Sequence, residues 1–405
     1  MKPDVLYISY DGMLEPLGQS QVLAYLERLA ADHRIHLISF EKPADLADQP
    51  RLAAMRARIA AAGLIWHPLT YHKRPSALAT AWDIAAGIAL GTWLVWRHRL
   101  AIVHARSYVA AVMALMLRRL SKARFVFDMR GFWADERVDG GIWPRGGRLY
   151  RVAKGFERRF LLAADHVVSL THAAVREMRH FDYLVERQPP FTVIPTCADL
   201  DRFCPPRQPL RHEGFVLGYV GSAGTWYLFD QVVAAFARLR QVRPDARLLV
   251  VNRGEHDFIR AALRHADVSG QCLELTSAEH GQVPALIARM DAGVFFIRQA
   301  FSKQASAPTK LAEFLGCGVP CLANAGVGDM AQILRDEQVG VALEDFSTEA
   351  LERGLDALLA LVADPTTSAR CVAAAQRHFS LTEGVARYRA VWQSVLTQAP
   401  KAASS

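Results

Sequence analysis

Lys310 and Glu313 stand three residues apart in the stretch Ser306-Ala307-Pro308-Thr309-Lys310-Leu311-Ala312-Glu313-Phe314-Leu315-Gly316-Cys317-Gly318-Val319-Pro320. Pro308 falls near the first position of a helix, where its missing N–H is tolerated, and Gly316, Gly318 and Pro320 stop that helix. Lys310 therefore sits in the first turn, at the positive end of the helix dipole, where a cation is disfavoured. A bound anion reverses that penalty. Free helix N–H groups, the Ser306 and Thr309 hydroxyls and the Lys310 amine together suit a phosphate. Glu313, about one turn on, shares a face with Thr309 and Lys310, and a carboxylate there can accept bonds from the two hydroxyls of a ribose. Phosphate beside ribose points to a nucleotide. The competing reading is a surface Lys310–Glu313 ion pair, which contributes roughly 0.3–0.5 kcal/mol and needs no ligand.

The elements that must carry this site alternate along the chain. Val5–Ser9, Ile35–Phe40, Ile102–His104, Phe125–Phe127, His166–Leu170 and Thr192–Ile194 read as strands, with helical spacing over 19–31 and 46–62 between the first of them. After a proline- and charge-rich stretch, Phe203–Gly214, the pattern restarts with strands at 215–220, 247–252, 273–275, 292–297 and 339–343. Such alternation predicts an α/β protein with parallel sheets covered by helices, here two Rossmann-like, doubly wound domains. The expected bounds are 1–204, 205–380, a final helix over 381–397 and a disordered tail over 398–405. Each half opens with strand, glycine-containing turn and helix. The first turn includes Gly12 and Gly18, and the second is Gly221-Ser222-Ala223-Gly224-Thr225. Glycine permits close backbone approach and the following helix favours anions. Neither turn matches G-x-G-x-x-G, and a tight turn without a ligand is the alternative for either.

At 405 residues, 51% hydrophobic and 22% charged, the chain reads as globular and two-domain. Its net charge of +8 is compatible with phosphorylated substrates or anionic lipid. No recognition-helix or RNA-binding signature accompanies it, so nucleic acid is not an expected partner. The six cysteines form no C-x-x-C pair and read as reduced thiols, and no metal site is expected. No charged segment followed by an apolar one precedes Val5–Ser9, so a cytoplasmic location is expected. Ala79–Trp96, followed by Arg97-His98-Arg99, is apolar and holds Trp82, Trp93 and Trp96, but Asp83 and two glycines interrupt it. It reads as a helix flanking a sheet, with contact to the inner face of a membrane as the alternative and a true span disfavoured by its length.

A second set of polar residues follows buried strands, where parallel sheets present their sites. Asp128 and Arg130 lie in Phe127-Asp128-Met129-Arg130-Gly131-Phe132-Trp133-Ala134-Asp135-Glu136, and His104 and Arg106 follow the strand before it. Asp128 can bind or deprotonate a hydroxyl and Arg130 can hold an anionic group. A structural Asp128–Arg130 bridge and a structural His104 are the alternatives.

These residues resemble a known group. The chain is similar to GT-B glycosyltransferases, close to family four of the retaining enzymes, over nearly its whole length. The likeness rests on the Gly18 loop, on Val193-Ile194-Pro195 with Asp199 and Phe203, on the Gly221 turn, and most specifically on Lys310 to Pro320. The resemblance implies an N-terminal acceptor domain and a C-terminal nucleotide-sugar domain facing each other across a cleft, with a final helix crossing back over Leu381–Leu396. It implies that Glu313 binds the donor ribose, that the adjoining helix N-terminus faces the diphosphate, and that no metal or cofactor is needed. The donor site it implies comprises Gly18, Gly221, Ser222, Ser306, Thr309, Lys310 and Glu313. Lys310, Asp128, Arg130 and His104 are the catalytic candidates. The implied reaction is retaining transfer of a sugar from a nucleoside diphosphate sugar to a saccharide or lipid-linked saccharide hydroxyl, in polysaccharide biosynthesis. Two departures stand out. Ala305 occupies the place of the family's first glutamate, and the Gly221 turn lacks the family's phosphate-holding cations, for which Lys310, helped by Lys303 or Arg298, is the expected replacement. A sugar-nucleotide epimerase and a non-catalytic, nucleotide-sugar-binding scaffold subunit are the competing functions.

Overall fold

The computed structural model describes residues 3–74, 76–206, 213–266, 268 and 270–397. The expected disordered tail and the middle of the expected linker, 207–212, lie outside the described residues. The chain divides into two units, one of 1–138, 143–194 and 384–405, the other of 139–142 and 195–383.

Buried apolar runs build the first unit's seven-stranded sheet. Its strands are β1 (Asp4–Ser9), β2 (Arg34–Glu41), β3 (Ile65–Thr70), β4 (Ile102–Arg106), β5 (Arg124–Asp128), β6 (His166–Ser169) and β7 (Phe191–Val193). All pairs are parallel, in the order β3-β2-β1-β4-β5-β6-β7. The expectation missed β3, whose Pro68 argues against a strand. At the sheet edge a proline is tolerated, because one side of the strand needs no N–H donor.

The second unit holds β8 (Val216–Val220), β9 (Arg247–Val251), β10 (Leu273–Thr276), β11 (Ala292–Val294), β12 (Cys321–Asn324) and β13 (Gly340–Leu343). They form a parallel sheet in the order β10-β9-β8-β11-β12-β13. Strand β11 ends earlier than the apolar run predicts. Ile297 instead forms an antiparallel bridge with Tyr227 and donates its N–H to the Asn324 side chain at 2.8 Å. The core contains Phe229, Phe236, Phe295, Phe296 and Phe314, all at most 1% exposed.

In each sheet the strand order reverses once, between β1 and β4 and between β8 and β11. The crevice outside the strand ends at such a reversal is where open α/β sheets bind ligands. The Gly221 turn and the loop leading to Lys310 both leave the second reversal.

The expected boundary after residue 204 moves back to Pro195. Ala198 bridges Ser380 in parallel and donates its N–H to the Phe379 carbonyl at 2.9 Å, and Phe203 is buried in the second core. These bonds tie 195–204 to the second unit. The Leu381–Thr397 helix begins in the second unit, and from Gly384 it belongs to the first.

Candidate active site

The helix carrying the Lys310 motif spans Thr309–Gly316, with Pro308 as its N-cap and no side-chain cap. Phe314 anchors it from below. Its ring stacks on Phe295 at 6.3 Å, and a Cβ on Gly293 would lie 2.8 Å from that ring, so only glycine lets helix and strand approach this closely. The first-turn N–H groups of Thr309 and Lys310 find no backbone acceptor among the described residues. Ser306 and Thr309 are half-buried beside them.

Lys310 is buried at 6% exposure. Its Nζ sits 3.5 Å from the centre of the Tyr227 ring, 4.4 Å from that of Tyr219 and 3.4 Å from the Tyr219 hydroxyl. Gly221 turns directly over it, with φ at +98°, and a Cβ there would fall 3.4 Å from Nζ. The cation missing from the turn is thus delivered to it from the facing helix. Burial holds the Lys310 pKa down to about 7, against the pull of Glu313 and Glu255. Glu313 is 8% exposed, and burial pushes its carboxyl up to about 7 although Lys310 opposes this.

Among the described residues Lys310 and Glu313 form no ion pair, and no side-chain hydrogen bond engages the Glu313 carboxylate. The surface ion-pair reading therefore fails. Removing two ionisable groups from water without pairing them costs several kcal/mol, far beyond the few tenths at stake on a surface. Ionisable groups perturbed this way by burial beside a charge partner are candidates for a functional site.

The turn itself is held by a residue not anticipated. Glu255 accepts the Ala223 N–H at 2.8 Å, the Gly224 N–H at 2.9 Å and the Asn252 amide at 2.8 Å. Those two loop amides are therefore not free for a ligand. Ser222 stays exposed while its carbonyl accepts the Tyr219 hydroxyl. Lys303 and Arg298 converge on Trp226 rather than on Lys310, at 3.7 Å and 6.0 Å from the ring centre. Ala305 is buried, at 2% exposure.

The first unit repeats this device. Buried Glu41, closing β2, accepts the N–H groups of Met13 and Leu14 at 2.8 and 3.1 Å and the Ser39 hydroxyl at 2.6 Å. Gly18 is buried, and a Cβ on it would reach within 2.0 Å of the Gly12 carbonyl. Its lack of a side chain serves the packing of helix on loop.

His104, in the middle of β4, Asp128, at the end of β5, and Arg130, just after it, do come together. Tyr388 donates to Asp128 Oδ2 at 2.8 Å, His104 Nε2 faces the same oxygen at 3.7 Å, and Arg130 faces Oδ1 at 3.8 Å. Burial alone would raise the Asp128 pKa, but Arg130, His104 and Arg106 hold it down at about 2. The Trp392 indole donates to His104 Nδ1 at 3.0 Å, which fixes the proton of the neutral ring on Nε2. Burial keeps the ring neutral by lowering its pKa. With its Nδ1 lone pair engaged, the fully buried His104 cannot accept a proton as it stands, and its Nε2–H has no hydrogen-bond partner among the described residues. Asp128, so strongly acidic, is a poor proton acceptor. Arg130 adopts φ +57°, and Arg106, whose Nε lies 3.4 Å from Asp11, leaves Nη1 buried without a hydrogen-bond partner. Tyr388 and Trp392 escaped the sequence reading. Their four-residue spacing on the last helix was the available signal.

Residues 204–378 match the family of glycosyl transferases group 1, and residues 18–197 match the glycosyl transferase 4-like domain. No curated protein matches the sequence. Among solved structures, sucrose-phosphate synthase from Thermosynechococcus elongatus aligns over 97% of this chain and 99% of its own, with TM-score 0.74 and 15% identity. A glycosyltransferase from Rickettsia africae aligns over 98% and 100%, with TM-score 0.71 and 13% identity. Anabaena HepE in complex with UDP and glucose aligns over 96% and 99%, with TM-score 0.67 and 13% identity. At these identities the structural likeness is one of fold. With both halves of the sequence matched to glycosyl transferase families and the two parallel sheets sharing that fold, the chain belongs to the group 1 glycosyltransferases of GT-B architecture.

Proposed function

We propose that the protein transfers a sugar from a nucleoside diphosphate sugar to a hydroxyl of a saccharide or lipid-linked saccharide, with retention and without a metal, in polysaccharide biosynthesis at the cytoplasmic side of the cell membrane. The observation that carries this reading is the buried Lys310 beneath the Gly221 turn, with buried Glu313 one turn on and no ion pair between them. A diphosphate supplies the counter-charge that Lys310 lacks, and the two open N–H groups of Thr309 and Lys310 add to it. The Ser306, Thr309 and Ser222 hydroxyls border the same phosphates. Two ribose hydroxyls supply the donors that Glu313 lacks. HepE structures with UDP, with UDP and glucose and with UDP-glucose lend support, since their fold is shared.

In the reaction the acceptor hydroxyl oxygen bonds the anomeric carbon as the glycosidic bond to the diphosphate breaks, negative charge builds on the departing phosphate, and a phosphate oxygen takes the acceptor's proton. Lys310 and the helix N–H groups stabilise that charge where it develops, which lowers the barrier rather than merely tightening binding. On the acceptor side, Arg130 and Arg106 offer guanidinium nitrogens for an anionic group, and Asp128 holds Arg130 in place.

Calorimetric titration of UDP, GDP, ADP and CDP into the metal-free protein tests the donor site. Selective binding of one diphosphate, weakened in Glu313→Ala, is expected, followed by diphosphate release once acceptor is added. Binding without any release would favour the scaffold reading, which Ala305 in place of a carboxylate keeps open. Absence of binding to all four would remove the nucleotide reading.

A further inference from the structure

The Ser76–His98 helix has two apolar faces, and only one is covered. Ala79, Asp83, Gly87, Gly91 and Leu94 point inward. Asp83 interrupts the apolar run for a reason: its carboxylate accepts the Tyr10 hydroxyl at 2.7 Å and the His72 N–H at 3.1 Å. A Cβ on Gly87 would meet Met113 Sδ at 2.5 Å and one on Gly91 would meet Leu117 at 2.8 Å, so the glycines let this helix lie close against the Ser107–Leu120 helix.

The opposite face is Leu78, Trp82, Ala85, Ala89, Trp93 and Trp96, a stripe at spacings of three and four that is exposed along its whole length. Trp82 is 66% and Trp96 65% exposed. Water gains nothing from three indoles on one stripe, and an apolar patch of this kind marks an interaction surface. The stripe continues at its end into exposed Leu120, whose carbonyl accepts the Trp96 indole N–H at 3.2 Å.

Charge identifies the partner. From Lys73 to Arg124 the sequence holds one acidic residue, the inward Asp83. Exposed Lys73 and Arg74 precede the stripe, and exposed Arg97, Arg99, Arg119 and Lys122 surround its far end. Indoles on an apolar stripe between cations, with no exposed carboxylate from Lys73 to Arg124, complement the interface of an anionic bilayer. Crossing the bilayer is excluded, because it would strip Asp83 of its bonds and carry it into hydrocarbon.

We propose that this stripe docks the protein flat on an anionic lipid surface, with Trp82, Trp93 and Trp96 inserted among the headgroups and the flanking cations against them. The proposal stands on the first unit alone and is independent of the donor-site reading.

The test is flotation of the full chain with phosphatidylcholine vesicles containing phosphatidylglycerol, against pure phosphatidylcholine. Salt-sensitive binding to the anionic vesicles is expected. It should fall by on the order of tenfold or more in Trp82→Gln/Trp93→Gln/Trp96→Gln, and to a smaller extent in Arg97→Gln/Arg99→Gln. Brominated lipid should quench tryptophan emission of the unaltered protein, a readout that needs no variant to fold. Failure of the unaltered protein to bind anionic vesicles overturns the proposal, as does unchanged binding by the triple variant. Concentration-dependent dimerisation without vesicle binding, lost in the triple variant, would also overturn it by assigning the stripe to a second copy of the chain.

Discussion

The Lys310 amine lies 3.5 Å from the centre of the Tyr227 ring and forms no ion pair with Glu313, one turn along the same helix. An aromatic face attracts the ammonium form, though less strongly than a carboxylate in contact would. Burial wins, and the pKa drops to about 7. A bound diphosphate would raise it again. Binding should therefore take up a proton above neutrality, and nucleotide affinity should fall as pH rises from about 7, by up to about tenfold per pH unit. Calorimetry in buffers of different ionisation enthalpy measures this directly. Lys310→Arg should abolish the alkaline fall, because its guanidinium stays charged. Affinity independent of pH between neutrality and pH 9 would exclude Lys310 from the phosphate site.

Glu313→Ala separates binding from folding. Charge-assisted bonds to ribose predict a loss of roughly 1.5–3 kcal/mol in nucleotide affinity. The free protein should lose little stability, since removing the carboxylate relieves its desolvation penalty while depriving buried Lys310 of its pull. A lowered unfolding midpoint together with unchanged nucleotide affinity would make the residue structural.

Tyr388 and Trp392 predict the opposite pattern. Each donates into a buried polar cluster, to Asp128 and to His104. Tyr388→Phe and Trp392→Phe should each lower stability by about 1–3 kcal/mol, the cost of leaving a buried acceptor unmet. Urea unfolding of the full chain reads this as a shifted midpoint. His104→Gln should keep most of the turnover number. A collapse of kcat with unaltered stability would restore His104 to the chemistry.

His36 sets an acid limit on the first unit. Burial, then the neighbouring His98, His67 and Arg34, lowers its pKa to about 4. Its Nδ1 meets His67 Nε2 at 3.2 Å, and its ring lies 4.5 Å from that of His98. Because the folded value is below the unfolded one near 6.5, the unfolded chain binds the extra proton first. Stability should thus fall as pH drops from about 6.5 toward 4, and be unaffected by this group above that window. Thermal melts of wild type and His36→Gln check the sign, and the variant should show the shallower fall.

The local geometry of the candidate site was legible before folding was considered. Lys310 at a helix start, Glu313 one turn later and the glycine turn are local patterns, set by helix period and by the few residues that permit a positive φ. The alternation of apolar runs likewise determined two parallel, helix-covered sheets. Strand β3 is hard to read locally because Pro68 argues against a strand, and only its edge position, with β2 as its one neighbour, makes the proline tolerable.

The sequence by itself determined the fold class, the Lys310–Glu313 helix and the absence of a carboxylate at Ala305. Only the tertiary structure decided that Lys310 lies under Gly221, that Glu255 consumes the turn's amides, and that Tyr388 and Trp392 close over Asp128 and His104. It also decided which face of the Ser76–His98 helix stays bare. The reason is one of range. Period, propensity and capping act over a few residues, while desolvation and pairing depend on which distant segments meet, and Tyr388 meets Asp128 across 260 residues of chain.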